Sequence, residues 1–67
     1  MNILEGIQEE QDRVREMIKH YEELPNGVGH LAASMMQRSL ESSNKAIAEG
    51  DVVEMVRCYA DLKEFKE

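Results

Sequence analysis

The apolar residues of this chain recur at helical spacing in three separate segments. In the first segment, residues 2–24, the apolar positions alternate three and four residues apart, which is typical of an amphipathic α-helix. Asn2 and Glu5 have the spacing of a capping box, so we expect this helix to begin at about residue 2. The seam consists of Leu4, Ile7, Gln11, Val14, Ile18 and Tyr21, with Ile3, Met17 and Leu24 beside it.

A turn-rich cluster at residues 25–29 interrupts this periodicity. Pro25 lacks the amide hydrogen that a continuing helix needs, and three turn-forming residues follow it. We therefore predict that the first helix ends at about Leu24. A second helix is predicted over residues 30–49, because one face of that segment is apolar or small. This face holds Leu31, Ala32, Met35, Met36, Leu40, Ser43, Ala46 and Ile47.

Gly50 and Asp51 predict a tight connection between the second helix and a third. Glycine readily adopts the left-handed conformation that ends a helix, and Asp51 with Glu54 repeats the capping-box spacing. So short a connection favours an antiparallel hairpin. The third helix is predicted over residues 52–66, with an apolar face formed by Val52, Met55, Val56, Tyr59, Leu62 and Phe65.

These segments predict an all-α fold. We expect one helical domain over residues 1–67, in which a long first helix packs against the antiparallel hairpin of the second and third helices. A fragment of the hairpin, residues 46–51 with Met55 and Tyr59, resembles the turn of a tetratricopeptide-type repeat, which implies the same geometry. A chain of 67 residues is near the lower limit for an independent core, so assembly as a helical homodimer is also expected.

The composition restricts the environment and the partners. Fourteen acidic residues against eight Lys and Arg give a formal net charge of −6, which disfavours direct contact with nucleic acid phosphates. No stretch has the ~20 apolar residues of a membrane span, and the first residues lack the pattern of a signal peptide. Cys58 is the only cysteine, so no intrachain disulfide is possible. We expect a soluble, cytoplasmic protein without membrane contact.

No residue cluster has the spacing of a catalytic, cofactor-binding or metal site. His20 and His30 lie on opposite sides of the proline loop, and Cys58 has no accompanying base. The chain is therefore predicted not to be an enzyme; a shared site would need these three residues to converge between chains. The first helix instead predicts a solvated face with ion pairs, namely Glu9 with Arg13, Asp12 with Arg15 and Glu16 with Lys19.

Methionines and one polar seam residue are the candidates for protein contact. Flexible thioethers fill gaps in a core or line adaptable binding surfaces. The adjacent Met35 and Met36 cannot point the same way, so at least one is available to another chain. Gln11 either lies at an edge of the seam or fixes register and pairing in a coiled-coil-like dimer. The predicted protein-interaction residues are Gln11, Met17, Tyr21, Met35, Met36, Leu40 and Tyr59.

Three stretches resemble short accessory proteins of tailed bacteriophages and prophages, across residues 21–67. They are the Leu-Pro-Asn-Gly loop, the helix around Met35 and Met36, and the closing run Ala-Glu-Gly-Asp-Val-Val-Glu-Met-Val-Arg-Cys-Tyr-Ala-Asp-Leu-Lys-Glu. The resemblance carries no catalytic motif. It implies binding to a host or phage protein, and therefore a location in the host cell cytoplasm.

The leading hypothesis is a non-enzymatic protein–protein interaction module that uses an apolar helix face rimmed by acidic residues. The alternative is an acidic decoy that mimics nucleic acid and blocks a DNA- or RNA-binding protein. In either case we expect the working surface where the first helix meets the hairpin. The decoy would present a line of carboxylates formed by Glu5, Glu9, Asp12, Glu16 and Glu23.

Overall fold

Three helices pack around one core in the computed structural model, which describes residues 2–66. Each helix contacts the other two, within overall extents of 39 × 20 × 15 Å. The part of the chain that the structure describes contains no strand, so the predicted all-α, three-helix fold is confirmed. The elements in order are α1 (Ile3–Glu22), a 3₁₀ turn (Pro25–Gly27), α2 (His30–Glu49) and α3 (Val52–Glu64).

The beginnings of α1 and α3 follow from side-chain caps, as the sequence predicts. The Glu5 amide donates to Oδ1 of Asn2 at 2.8 Å, and the Glu54 amide donates to Oδ1 of Asp51 at 3.1 Å. Each cap satisfies one of the amides that have no partner within the first turn of a helix. The cap side chain of each predicted capping box is therefore confirmed, and the two caps fix where α1 and α3 start.

The connection between α2 and α3 is a Schellman turn centred on Gly50. Gly50 has φ +66°, its amide donates to Ile47 O, and the Asp51 amide donates to Ala46 O, both at 3.1 Å. Both bonds use carbonyls of the last turn of α2 that would otherwise lack partners. Because only two residues separate the helices, α3 returns antiparallel to α2.

Two helices end earlier than the sequence predicts. α1 ends at Glu22 instead of Leu24, and α3 ends at Glu64 instead of residue 66. The residue before a proline is pushed toward extended backbone, and Leu24 has ψ 140°. Phe65 is likewise extended, with ψ 122°.

Arg13 connects α1 to the end of α3. Its guanidinium donates to Leu62 O at 2.9 Å and to Phe65 O at 2.8 Å. A cation is favoured beside the carbonyls at the C-terminal end of a helix, so this contact caps α3 from outside. The predicted ion pair between Glu9 and Arg13 is wrong. Arg13 pairs instead with the half-buried Glu10 at 2.6 Å, because its guanidinium turns toward α3.

The core is built from aliphatic, methionine and cysteine side chains, with the aromatic residues at its edge. Several residues that the sequence predicts on the apolar faces are not buried. Each helix in a three-helix unit buries a narrower sector than its apolar residues cover. Leu4, Leu31, Val52 and Val56 are exposed instead of buried. The buried apolar residues are Ile7, Val14, Met17, Ile18, Ala33, Met36, Leu40, Ala46, Met55, Cys58 and Leu62.

Gly29 is where the backbone of the α1–α2 connection passes closest to α1. A β-carbon at this position would lie 2.2 Å from the carbonyl oxygen of Tyr21, inside van der Waals contact. The obstacle is backbone, so no side-chain rotation relieves it. Gly50, by contrast, needs its positive φ but has open space around it.

We predict that Gly29→Asn destabilises the chain more than Gly50→Asn. Asparagine tolerates the left-handed conformation, so the change at Gly50 should lower the free energy of unfolding by only ~0.5 kcal/mol. At Gly29 the steric clash remains, and we expect a loss of about 1–3 kcal/mol. Urea unfolding monitored by circular dichroism measures both, and equal losses would contradict the close backbone approach.

Candidate protein-interaction surfaces

The structure separates the seven predicted interaction residues into interior and surface positions. Tyr21 and Tyr59 are half-buried, and Met35 is exposed. Met35 and the buried Met36 point in different directions, because consecutive residues on a helix are ~100° apart. The remaining members of the set lie inside the chain's own core, namely Gln11, Met17, Met36 and Leu40.

Gln11 makes its polar contacts within the chain. It is 3% exposed, and its Nε2 donates to Ser43 Oγ at 2.8 Å and to Asn44 Oδ1 at 2.9 Å. The Ser43 hydroxyl in turn donates to Leu40 O at 2.7 Å. The expectation that Gln11 lies at an edge of the seam is therefore wrong. Its side-chain amide, which in a dimer would have paired with a second Gln11, bonds instead to residues of α2.

We predict measurable coupling between Gln11 and Ser43 in a double-mutant cycle of Gln11→Leu and Ser43→Ala. A buried hydrogen bond between neutral groups contributes about 0.5–1.5 kcal/mol. The loss of unfolding free energy in the double variant should therefore differ from the sum of the two single losses by about 0.5–1.5 kcal/mol. The control cycle pairs Gln11→Leu with Ser42→Ala, which is exposed on the same helix. Additivity in both cycles would show that the bond contributes nothing.

An exposed apolar surface lies at the beginning of α2. Val28, Leu31 and Met35 are 74%, 75% and 54% exposed. Their spacing of three and four residues places Leu31 and Met35 on one side of the first turns of α2, with Val28 leading into it. The neighbouring His30 and Ser34 are also exposed. We call Val28, Leu31 and Met35 the α2 patch.

A second exposed apolar surface lies on the outer side of α3. Val52, Val53 and Val56 are 57%, 79% and 52% exposed, and Ala60 is exposed one helical turn later. We call these four residues the valine face. It begins at the end of the molecule where α2 turns into α3, whereas the α2 patch lies at the opposite end of α2.

The predicted acidic line is exposed along α1. Four of its carboxylates, from Glu5 to Glu16, span ~17 Å of α1 at 1.5 Å per residue, and the fifth, Glu23, lies just after the end of the helix. Two of them are paired on the same helix: Asp12 with Arg15 at 3.0 Å and Glu16 with Lys19 at 3.4 Å. Both of these predicted ion pairs are confirmed, and they lower the net negative charge in the middle of the line.

Two shallow surface grooves separate the helices, and polar side chains line most of each. One, between α2 and α3, has a volume of about 310 Å³ and includes Lys45, Glu49 and Arg57. The other, of about 390 Å³, lies where α1 meets α2 and includes Arg15, Lys19 and Glu41. Both signs of charge line each groove, so neither selects for a charged ligand of one sign.

The residues with reactive side chains differ in their exposure. His20 and His30 are exposed, whereas Cys58 is buried on the inner side of α3. Among residues 2–66, no group of three or more His, Cys, Asp and Glu side chains is arranged to hold a metal ion. Burial raises the pKa of the Cys58 thiol; Arg57 acts in the opposite direction, and the carboxylates of Glu54 and Asp61 raise the pKa further. The thiol is therefore protonated at neutral pH, and it is not an activated nucleophile.

We predict that Cys58 reacts with a disulfide reagent only when the chain opens. At neutral pH the folded chain should react far more slowly than the chain in urea, because the thiol is both buried and protonated. A matched control carries Ala60→Cys in a Cys58→Ala background and should react at the unfolded-chain rate. Equal rates in the two folded proteins would contradict the burial of Cys58.

The raised pKa also predicts a dependence of stability on pH. The Cys58 thiol has a higher pKa in the folded state than in the unfolded state, so the protonated thiol contributes to stability. This contribution is complete at pH values below the pKa of the unfolded state. This contribution is lost as pH rises through the folded pKa. The loss of unfolding free energy in alkaline solution should therefore be smaller in Cys58→Ala than in the wild type.

Comparison with known proteins assigns no family to this chain. No protein-family model matches it, and no curated protein or solved structure shows significant similarity to it. Within the described residues, none of the helices has the length and apolar character needed to cross a lipid bilayer. The functional argument therefore depends on the surfaces described above.

Proposed function

We propose that the chain is a non-enzymatic protein–protein interaction module. It binds another protein through the α2 patch and assembles with itself as a homodimer. The observation that supports this most directly is the α2 patch itself, in which three apolar side chains are each more than half exposed. These three residues belong neither to the buried core nor to the residues packed against it, so packing within the single chain does not explain them.

The α2 patch has the composition of a small protein interface. Leu31 supplies apolar area, and Met35 is a flexible thioether that adapts to the shape of a partner. Exposed polar and charged residues, including Ser34 and Arg38, surround it. An apolar centre with a polar rim excludes water from the contact while keeping the free protein in solution.

The partner that we propose is a host or phage protein. The support for this is the resemblance of residues 21–67 to short accessory proteins of tailed bacteriophages and prophages. A partner of this kind would place the chain in the cytoplasm of the host cell. The formal charge of −6 favours a protein partner over direct contact with nucleic acid.

Affinity capture from the cells that produce the chain tests this proposal. The tagged wild type should retain a partner that mass spectrometry identifies, and Leu31→Glu with Met35→Glu should weaken its binding at least ~10-fold, or about 1.4 kcal/mol. Gln37→Glu with Ala48→Glu is the matched control, because it adds the same charge at exposed positions of the same helix outside the α2 patch and its rim. A partner bound equally by both variants would place the binding surface elsewhere.

The alternative function is an acidic decoy that mimics nucleic acid and occupies the binding groove of a DNA- or RNA-binding protein. The observation that favours it is the exposed line of four carboxylates on α1, continued by Glu23 just after the helix. Binding by this line would weaken steeply between about 50 mM and 500 mM NaCl, whereas binding by the α2 patch would change little. Glu5→Gln with Glu9→Gln would abolish the decoy interaction and leave the leading interaction intact.

A further inference from the structure

The turn between α1 and α2 holds an asparagine and a glycine in left-handed backbone. Asn26 has φ +60° and ψ +23°, and Gly27 has φ +67°. The Val28 amide donates to Pro25 O at 3.3 Å across this pair. These features are typical of a type I′ turn, which needs positive φ at both central residues and favours asparagine followed by glycine. Residues 25–28 are all exposed, so water reaches the whole turn.

The same two residues are the reactants of a known type of intramolecular cyclisation. The backbone nitrogen that follows an asparagine can attack its side-chain carbonyl carbon and close a five-membered imide ring. Glycine favours this attack because it has no side chain to shield its nitrogen. Both groups belong to one chain, so the reaction needs no encounter between molecules. Of the three asparagines in the chain, only Asn26 precedes a glycine; the others are Asn2, before Ile3, and Asn44, before Lys45.

A histidine lies beside this pair. A β-carbon added at Gly27 would lie 3.4 Å from Nδ1 of His30, so the imidazole is next to the glycine. His30 is the first residue of α2, where the Ala33 amide donates to Gly29 O at 2.9 Å. Gly29 itself is buried against the backbone of Tyr21. α2 therefore keeps the imidazole near the turn when the exposed turn opens.

We propose that Asn26 and Gly27 form a self-modification site, at which the asparagine is converted to aspartyl and isoaspartyl residues with His30 as the base. The Gly27 nitrogen forms a bond to Cγ of Asn26, and the bond between Cγ and Nδ2 breaks. The imidazole takes the proton from the Gly27 nitrogen and returns it to the departing amide, which leaves as ammonia. This inference does not depend on the proposed function.

Water then opens the imide in one of two ways. If the bond between the Gly27 nitrogen and Cγ breaks, the product is an aspartyl residue with an unchanged main chain. If the bond between this nitrogen and the main-chain carbonyl carbon of Asn26 breaks, the product is an isoaspartyl residue, whose main chain passes through Cβ and Cγ. The net reaction consumes water and releases ammonia. Either product adds a negative charge beside Val28 of the α2 patch.

The folded turn slows this reaction without preventing it. At ψ +23° the Gly27 nitrogen lies on the far side of the Cα–C bond from the Asn26 side chain, so ring closure requires rotation about that bond. The rotation breaks the 3.3 Å bond from the Val28 amide to Pro25 O, in a segment exposed to solvent. Local opening of such a segment does not require the helices to unfold. We therefore expect slow modification of a chain that remains folded.

Peptide mapping by mass spectrometry, after incubation of the folded chain at neutral pH, tests the site. The peptide that contains Asn26 should gain about one mass unit, with release of ammonia, at least ~10-fold faster than the peptides that contain Asn2 and Asn44. These two asparagines are matched controls, because both are exposed but precede residues that carry side chains. No gain at Asn26, or an equal gain at all three asparagines, would overturn the proposal.

Replacement of each histidine tests the base. His30→Gln should slow the reaction at Asn26 at least ~3-fold, whereas His20→Gln changes the other exposed histidine and should leave the rate unchanged. Free imidazole in the buffer should restore the rate in His30→Gln, because it supplies the missing base; a purely structural effect would not respond. Equal rates in the wild type and His30→Gln, or no response to imidazole, would overturn the role of His30.

Unfolding of the separated products tests their effect on the connection. The isoaspartyl product lengthens the main chain shortly before Gly29, where the backbone already lies against Tyr21 O. Its midpoint of urea unfolding should therefore be lower than that of the unmodified chain. Asn26→Asp is the matched control and should keep the wild-type midpoint, because aspartate tolerates left-handed backbone. An unchanged midpoint for the isoaspartyl product would contradict this constraint.

Discussion

The hydrogen bonds between Gln11 and α2 constrain the arrangement of the whole unit. A buried amide without a partner would destabilise the fold by about 1–3 kcal/mol, so α1 must turn and slide until Gln11 lies beside Ser43 and Asn44. Apolar contacts alone are less directional and would tolerate neighbouring registers. With this register set, Met36 and Leu40 point inward, and Met35 is left outside.

α1 thus joins the other two helices by different means. Its contact with α2 includes a buried polar network, whereas its contact with α3 includes a guanidinium that caps the last carbonyls of that helix. α2 and α3 are held to each other by the turn at Gly50. None of these three connections uses a residue of the α2 patch or of the valine face, so both surfaces remain exposed.

The apolar surface and the negative charge lie on different helices. α1 carries the acidic line, but Arg15 and Lys19 neutralise its middle and Arg13 is directed toward α3. The groove between α1 and α2, where the working surface was expected, is lined by residues of both charges. The α2 patch and the valine face lie outside that groove, and so provide two surfaces that one chain can use for two different contacts.

The sequence by itself determined the number of helices, the starts of α1 and α3 and the α2–α3 turn, because caps and a left-handed glycine act through residues only a few positions apart. It also showed that Met35 and Met36 must diverge. Only the tertiary structure decided which of them is buried. The apolar stripe on each helix is wider than the sector that is buried, so the stripe does not specify how the helix is rotated about its own axis. The same reason explains Leu31 and Val56, which have the spacing of core residues but face solvent. The roles of Gln11 and Arg13 depend on partners more than thirty residues away, so helical periodicity could not reveal them.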